Sequence, residues 1–277
     1  MRQIKVASPL RYPGGKSRVA GRISSLFPDF DEYREPFIGG GSVFLELAQR
    51  KPMAKYWIND LYPDVSNFWY TAATDLSALV QHVIYFRELE KDGKRLYSRL
   101  RELEPESNVQ RAARFFALNR ITFSGTLDSG GYSQLAFEKR FTETSVQRLR
   151  QLSFLQDIDV RVTNSDYSEV IRSPGSGVLL YLDPPYITRG RKLYGRGGDL
   201  HRKFDHERFT KTALESEHTW LITYNDGDSI NKLLPESANL SHLHWQQHYP
   251  MKSSLGSSLP KGQELIIANY DLEGLSL

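Results

Sequence analysis

The chain has 277 residues, of which 39% are hydrophobic and 25% are charged, and its formal net charge is +3. This composition is typical of a globular protein, and the length suits one large α/β domain or a core domain with a smaller insert. The chain has no cysteine, which excludes disulfides, thiolate catalysis and thiolate metal sites. No apolar run approaches the ~20 residues that span a bilayer, and no secretory signal is evident, so we expect a cytoplasmic protein without membrane contact.

Positive charge is concentrated in two segments of the sequence. Residues 111–150 and residues 186–208 each contain seven Lys/Arg and three Asp/Glu, a net charge of +4 per segment. Each segment alone therefore exceeds the charge of the whole chain. Such segments permit a nucleic-acid partner without establishing one, because solvated surface can have the same composition.

The predicted elements alternate between strands and helices at both ends of the chain. A helix is expected at about 18–27. YREPFIGGGSVFLELAQR (33–50) predicts a strand, a glycine turn and an amphipathic helix, and KYWINDL (55–61) predicts a strand. Helical periodicity covers about 63–120, with a break near Pro105, and FSGTLDSGGYSQ (123–134) has the composition of a loop.

Further elements are expected in the second half of the chain. They are a helix at about 144–152, a strand at 159–163, a strand that ends at Asp183, a helix near 206–216, and strands in HTWLITYND (218–226) and QELIIANYD (263–271). This order predicts a largely parallel sheet with helices on both faces, and a mostly helical insert between its halves.

The glycine-rich stretch FIGGGSVF (37–44) lies between a predicted strand and a predicted helix, where ligands bind open α/β sheets. It begins like a dinucleotide fingerprint, but Phe44 replaces the expected third glycine, which weakens a pyrophosphate interpretation. Asp60 ends the next predicted strand, 19 residues after Gly41, and can accept two ribose hydroxyls. The combination favours a nucleoside cofactor without a pyrophosphate, such as S-adenosylmethionine.

The stretch YLDPPY (181–186) ends an apolar strand with an acid, two prolines and an aromatic residue. A strand-ending turn explains the prolines but neither the tyrosine nor the coincidence with Gly39, Gly41 and Asp60. For methyl transfer to an exocyclic amine, Asp183 and the main-chain carbonyl of Pro184 could accept the amine's hydrogens and free its lone pair. Pro185 would help to fix the backbone, and Tyr186 would offer a face to a base extruded from the duplex. The stretch therefore predicts a catalytic site.

Seven stretches together support a family resemblance. The chain resembles the α-type group of the Dam-like (D12 class) DNA adenine N6-methyltransferases. The matching stretches, in the family's order, are RYPGGKSR (11–18), EPFIGGGSVFLEL (35–47), INDLYPD (58–64), QRAARFFALNRITFSG (110–125), VLLYLDPPY (178–186), KFDHERF (203–209) and ELIIANYD (264–271).

The resemblance implies an α/β fold, in which a seven-stranded Rossmann-like methyltransferase sheet carries a mainly helical DNA-recognition insert. The catalytic domain would comprise residues 1–61 and 156–277, and the target-recognition insert residues 62–155. The implied reaction transfers methyl from S-adenosylmethionine to adenine N6 of a flipped base in double-stranded DNA. Restriction-modification is one setting of the family, in which a cognate endonuclease would act on the same site without being bound to this chain.

The resemblance also implies roles for individual residues. The expected catalytic residues are Asp183, Pro184, Pro185 and Tyr186. The expected cofactor-binding residues are Tyr12, Lys16, Pro36, Phe37, Gly39, Gly41, Asp60, Asp166, Tyr167 and Asp183. The expected DNA-binding residues are Asn119, Arg120, Phe123 and Ser124. The charge of the basic loop after the catalytic stretch adds Arg189, Arg191 and Lys192, as an arm on the DNA backbone or as a solvated loop. No metal is expected, and His242, His244 and His248 are interpreted as ordinary histidines.

One stretch departs from the family. Where relatives that methylate GATC continue with NGL and a basic residue, this chain has SGTLDSGGYSQLAF (124–137), so no recognition sequence is assigned. Cytosine-N4 methylation is an alternative because that amine poses the same chemical problem. Methylation of a protein glutamine, a DNA-binding relative without catalysis and, least favoured, a dehydrogenase are further alternatives.

Overall fold

The structure, a computed structural model, describes residues 5–123, 131–186, 204–235, 239–247 and 262–272. Its α-helices are α1 (Ala20–Ser25), α2 (Ser42–Arg50), α3 (Pro63–Thr74), α4 (Leu76–Leu89), α5 (Gly93–Glu102), α6 (Asn108–Ile121), α7 (Gln134–Arg140), α8 (Glu143–Arg150), α9 (Tyr167–Arg172), α10 (His206–Leu214) and α11 (Asp228–Leu233). A 3₁₀ helix, Gln151–Asp157, follows α8.

The strands are β1 (Glu32–Glu35), β2 (Lys55–Asn59), β3 (Val160–Thr163), β4 (Val178–Leu182), β5 (Thr219–Asn225), β6 (Ser241–Gln247) and β7 (Gly262–Ala268). They form one seven-stranded sheet in the order β3-β2-β1-β4-β5-β7-β6. Strands β1 to β5 run parallel, while β7 pairs antiparallel with both β5 and β6. The predicted α/β fold with a seven-stranded sheet is confirmed.

The central strands are buried on both faces, which is the condition for a parallel sheet. Every residue of β4 is buried, and its apolar run VLLYL supplies side chains to both faces. Helix α2 covers one face with Val43, Phe44 and Leu47, as its amphipathic pattern predicts. Because β1 and β4 are neighbours, the loops that follow them lie at adjacent strand ends.

The helices between β2 and β3 share a hydrophobic core with one face of the sheet. Trp69 of α3 packs edge-to-face on Phe44 of α2, with ring centroids 6.1 Å apart. Phe68 contacts Phe115 and Phe116 of α6, and both of these rings are buried in the core. The division of the chain into a catalytic domain and an insert at 62–155 stays a prediction.

Three helices were not predicted from the sequence: α7, α9 and α11. Helices α9 and α11 have six residues each and α7 has seven, too few for a 3.6-residue period to show. Local capping starts two of them, because the side chains of Ser133 and Asp166 accept hydrogen bonds from the first turns of α7 and α9. Within the described ranges, no helix is long and apolar enough to cross a membrane.

Candidate active site

The C-terminal ends of the parallel strands are tied together by one buried amide. The Nδ2 atom of Asn59, at the end of β2, donates to the carbonyls of Pro36 and Ser165, each at 3.0 Å. These carbonyls belong to the segments that follow β1 and β3, so three strand ends are held at one edge of the sheet. Ligands bind open α/β sheets at this edge.

The glycine turn after β1 is closely covered by aromatic rings. Gly39 and Gly41 have φ angles of 41° and 64°, in the left-handed region that favours glycine. A Cβ atom on Gly39 would lie 2.6 Å from the ring of Tyr12, and one on Gly41 would lie 2.5 Å from the ring of Trp69. The Trp69 indole also donates to the Gly39 carbonyl at 2.9 Å. Tyr12 and Trp69 therefore occupy the space that side chains would need, and only glycine fits at these two positions.

Asp60 connects the end of β2 to this glycine turn. One carboxylate oxygen accepts from the Gly39 amide and the other from the Tyr62 amide, both at 2.9 Å. Burial raises the pKa of Asp60 to about 6, although these two amides oppose the rise. Each oxygen has a further lone pair, so the carboxylate can still accept two hydroxyls of a ribose.

Asp183 follows β4 and forms an ion pair with Lys16. The Lys16 Nζ atom lies 2.8 Å from Oδ1 and 2.9 Å from Oδ2 of Asp183, and it also donates to the Gly14 carbonyl at 3.2 Å. Thr223 of β5 donates a third hydrogen bond to Oδ1 at 2.8 Å. The structure thus brings together Lys16, predicted to bind the cofactor, and Asp183, predicted both to bind the cofactor and to act in catalysis.

Tyr186 is held by an aromatic neighbour and a cation. Its ring stacks on Tyr224 of β5, with centroids 5.5 Å apart and planes at 20°, and Lys16 Nζ lies 4.8 Å from its centroid. The Tyr224 hydroxyl donates to the Pro185 carbonyl at 3.4 Å and forms a short contact with Nδ1 of His206. Part of the flat surface that we predicted for an extruded base is therefore covered by Tyr224.

The predicted adenine end of the cofactor site is an aromatic cluster around Tyr167. Phe37 lies 5.5 Å from Tyr167 between ring centroids, and Phe204 and Phe209 pack on both rings. The Tyr167 hydroxyl is buried and has no hydrogen-bond partner among the described residues. Asp166 caps α9 and pairs with Arg208, whose hydrogen bond lowers the pKa of Asp166 against the opposing effect of its burial.

The predicted DNA-binding residues fall into three groups. Asn119 and Arg120 are buried: the Asn119 amide bonds the backbone of Arg11 twice, and the Arg120 guanidinium donates to the Pro9 carbonyl. Their side chains join α6 to the N-terminal segment, which counts against direct DNA contact. Phe123 is 69% exposed. Ser124, Arg189, Arg191 and Lys192 lie outside the described residues.

Several residues of the site were not identified from the sequence. Thr223 and Tyr224 were predicted only as parts of a strand, and the signal available was that this pair of hydroxyl-bearing residues directly follows the apolar run WLI. Glu35, at the end of β1, is buried and accepts from the Tyr33 hydroxyl at 2.7 Å. Its burial raises the pKa of Glu35 well above its ordinary value.

No group of three potential metal ligands occurs in the part of the chain that the structure describes. His244 pairs instead with Asp226, with 3.0 Å between Nδ1 and Oδ2. His248 lies outside that part of the chain.

The sheet order and the site at the strand ends define a class, the Rossmann-like methyltransferases. Comparison with known proteins gives the family. The sequence profile of the D12 class N6 adenine-specific DNA methyltransferases matches residues 12–251, and the chain belongs to this family.

Individual relatives carry names that agree with this assignment. The chain is 24% identical over 276 residues to the type II methyltransferase M1.LlaDCHI of Lactococcus lactis subsp. cremoris, an alignment that covers 94% of each chain. It is 25% identical over 189 residues to a DNA adenine methylase of Vibrio cholerae, covering 64% of each chain. A type II methyltransferase of Methanocaldococcus jannaschii, M.MjaIII, is 26% identical over 206 residues, covering 66% of this chain and 70% of the relative.

Proposed function

We propose that the protein transfers a methyl group from S-adenosylmethionine to the N6 amine of an adenine that has left a DNA duplex. The observation that carries the proposal is the position of Asp183. It follows β4 at the strand end adjacent to the glycine turn of β1, in a chain of an adenine-methylating family. A carboxylate and a nucleoside-binding turn on one sheet edge suit a reaction between a base amine and a nucleoside cofactor.

The described residues fit S-adenosylmethionine at this edge. The turn at Gly39 and Gly41 has no room for side chains, and Asp60 retains acceptor capacity for two hydroxyls. The buried Tyr167 hydroxyl, which has no hydrogen-bond partner among the described residues, offers a polar atom to the adenine ring. When bound, the cofactor supplies an electrophilic methyl group on a positively charged sulfur.

The protein's part in the reaction is to orient the amine. The carboxylate of Asp183 and the Pro184 carbonyl accept its two hydrogens, which draws the nitrogen toward tetrahedral geometry and exposes its lone pair. As the new nitrogen–carbon bond forms and the sulfur–carbon bond breaks, one proton leaves the nitrogen for solvent. Orientation and electrostatics supply most of the rate enhancement in such a transfer.

The proposal extends to DNA binding and to the biological setting. The basic segment 111–150 and exposed Phe123 favour a role of residues 62–155 in binding DNA. Two of the relatives are named type II methyltransferases, which favours a restriction-modification setting with an endonuclease that acts on the same site. A cytoplasmic location is also part of the proposal, because the substrate would be the cell's DNA.

Mass spectrometry of methylated nucleosides tests the proposal. The purified protein is incubated with S-adenosylmethionine and unmethylated bacterial genomic DNA, beside the variants Asp183→Ala and Asp157→Ala. Asp157 is an exposed acid at the end of the 3₁₀ helix and serves as the matched control. We expect N6-methyladenine from the unmutated protein and from Asp157→Ala only. Detection of N4-methylcytosine would show that the target base is cytosine and not adenine. Failure to detect any methylated nucleoside would contradict the proposal.

A further inference from the structure

A chain of two buried hydroxyls leads from the interior of the sheet to Asp183. The Tyr181 hydroxyl on β4 lies 3.1 Å from the Thr223 hydroxyl on β5, and Thr223 lies 2.8 Å from Oδ1 of Asp183. Tyr181 is 1% exposed and Thr223 is 0% exposed, so neither hydroxyl competes with bulk water. Neither residue belongs to the stretch DPPY or to the proposed cofactor site.

The direction of the hydrogen bonds follows from the number of protons. The Thr223 hydroxyl has one proton, and its carboxylate partner, ion-paired with Lys16, can only accept. Thr223 therefore donates to Asp183, and the Tyr181 hydroxyl donates to Thr223. Burial raises the pKa of Tyr181 well above its ordinary value, and the charge of Asp183 raises it further, so Tyr181 keeps the proton that it donates.

These contacts distinguish the two oxygens of Asp183. Oδ1 accepts from Thr223 and from Lys16, which uses both of its lone pairs, whereas Oδ2 accepts from Lys16 alone among the described residues. We propose that Thr223, supported by Tyr181, is a positioning residue that fixes the plane of the Asp183 carboxylate so that Oδ2 receives the target amine. This inference rests on the proposed function and adds residues and an atom to it.

Three variants test the positioning role. Thr223→Val removes the hydroxyl and keeps the branched shape, and Thr223→Ser keeps the hydroxyl and removes a methyl group. Tyr181→Phe removes the hydroxyl that donates to Thr223. The measurement is the single-turnover rate of methyl transfer to DNA at saturating S-adenosylmethionine, with thermal unfolding of each variant.

We expect Thr223→Val to be slower than the unmutated protein by roughly tenfold to hundredfold, as for other misplaced catalytic groups. Thr223→Ser should stay within about threefold of the unmutated rate although it leaves a small cavity, whereas Thr223→Val also leaves the buried Tyr181 hydroxyl without an acceptor and should lose stability as well as rate. The double variant Tyr181→Phe/Thr223→Val leaves no tyrosine hydroxyl unpaired and should regain stability relative to Thr223→Val without regaining rate, which a merely structural role would not produce. Tyr181→Phe should slow the reaction alone but not in the Thr223→Val background.

Crystal structures of the variants provide a readout that does not depend on activity. The Asp183 carboxylate should keep its plane in Thr223→Ser and rotate in Thr223→Val. An unchanged plane and rate in Thr223→Val, or a Thr223→Ser protein as slow as Thr223→Val, would overturn the positioning role. An unmutated protein that methylates no DNA would contradict the proposed function instead, and the crystal structures would still decide the role of Thr223.

Discussion

The Nζ atom of Lys16 contacts both carboxylate oxygens of Asp183, at 2.8 Å and 2.9 Å, although 167 residues separate the two in sequence. Lys16 is 4% exposed and Asp183 is 20% exposed, so the pair is largely withdrawn from water. Burial is the largest single effect and disfavours charge on Lys16, but Asp183, Tyr181 and Glu264 together outweigh it and raise the pKa of Lys16. The pair therefore joins an N-terminal loop to the central strand β4.

Removal of Lys16 should destabilise the fold through the charge that it leaves behind. In Lys16→Met, Asp183 loses a charged donor, and we expect the free energy of unfolding to fall by about 1–3 kcal/mol. Urea unfolding of Lys16→Met, Asp183→Asn and the double variant measures the effect. The double variant should lose less free energy of unfolding than the two single variants lose together, since it leaves no charge unpaired. A Lys16→Met protein as stable as the unmutated one would show that the pair contributes nothing.

Asp60 should make cofactor binding depend on pH. Its pKa of about 6 lies above the ordinary value of 3.8 because the carboxylate is buried. As pH falls through 6, Asp60 takes up a proton and loses acceptor capacity for the ribose. We expect the Kd for S-adenosylmethionine, measured by calorimetry, to rise roughly fourfold between about pH 7.5 and about pH 5.5. Asp60→Asn should bind weakly at both pH values, without this dependence.

Stability should respond to Asp60 in the opposite sense. A folded-state pKa above the unfolded value means that the free folded protein binds the proton more tightly than the unfolded chain between about pH 4 and pH 6. The ionised carboxylate therefore costs stability at neutral pH, and this cost is relieved on acidification. As pH falls, the free energy of unfolding of the unmutated protein should therefore rise relative to that of Asp60→Asn.

The glycine turn should not tolerate a side chain at Gly41. With φ at 64° and the Trp69 ring 2.5 Å from the added Cβ, Gly41→Ala combines backbone strain with a steric clash. The left-handed conformation alone costs about 1–2 kcal/mol, so we expect a clear fall in melting temperature and loss of cofactor binding. Gly227→Ala is the control, because its Cβ would meet nothing within 4 Å. Equal melting temperatures for the two variants would refute this account of the turn.

Among the residues predicted to bind DNA, substitution of a buried one should reduce stability and substitution of an exposed one should reduce DNA binding. Asn119→Ala removes two hydrogen bonds to Arg11 from the interior and should cost about 1–3 kcal/mol of stability. Phe123→Ala, at an exposed position, should change stability by less than about 0.5 kcal/mol and weaken DNA binding in a fluorescence-anisotropy titration. The interpretation fails if Asn119→Ala is fully stable or if Phe123→Ala binds DNA as tightly as the unmutated protein.

The fold was largely predictable because its strands and glycine turn carry local signals. The apolar run before Asp183, and the turn between a strand and an amphipathic helix, each identify an element without knowledge of the rest. The order in which the last three strands pair was not predictable, because no local sequence signal indicates that β7 lies between β5 and β6.

The site was predictable in its residue types but not in its contacts. The sequence pattern predicts Asp60 and Asp183 at strand ends, and both lie there in the structure. It did not find Thr223, because a threonine inside a strand is common and its meaning comes from an acid on the neighbouring strand. It also could not anticipate the burial of Asn119 and Arg120, which depends on where the segment near Pro9 crosses α6.

Strand β7, although later in the chain than β6, is an interior strand of the sheet. During synthesis, one edge of β5 therefore stays unpaired until residues 262–268 have left the ribosome, and β6 lacks its partner strand until then. A nonsense mutation shortly before Gly262 would remove an interior strand, which disrupts more strand pairing than the removal of an edge strand. Completion of the sheet thus depends on residues 262–268, which supply the pairing partner of both β5 and β6.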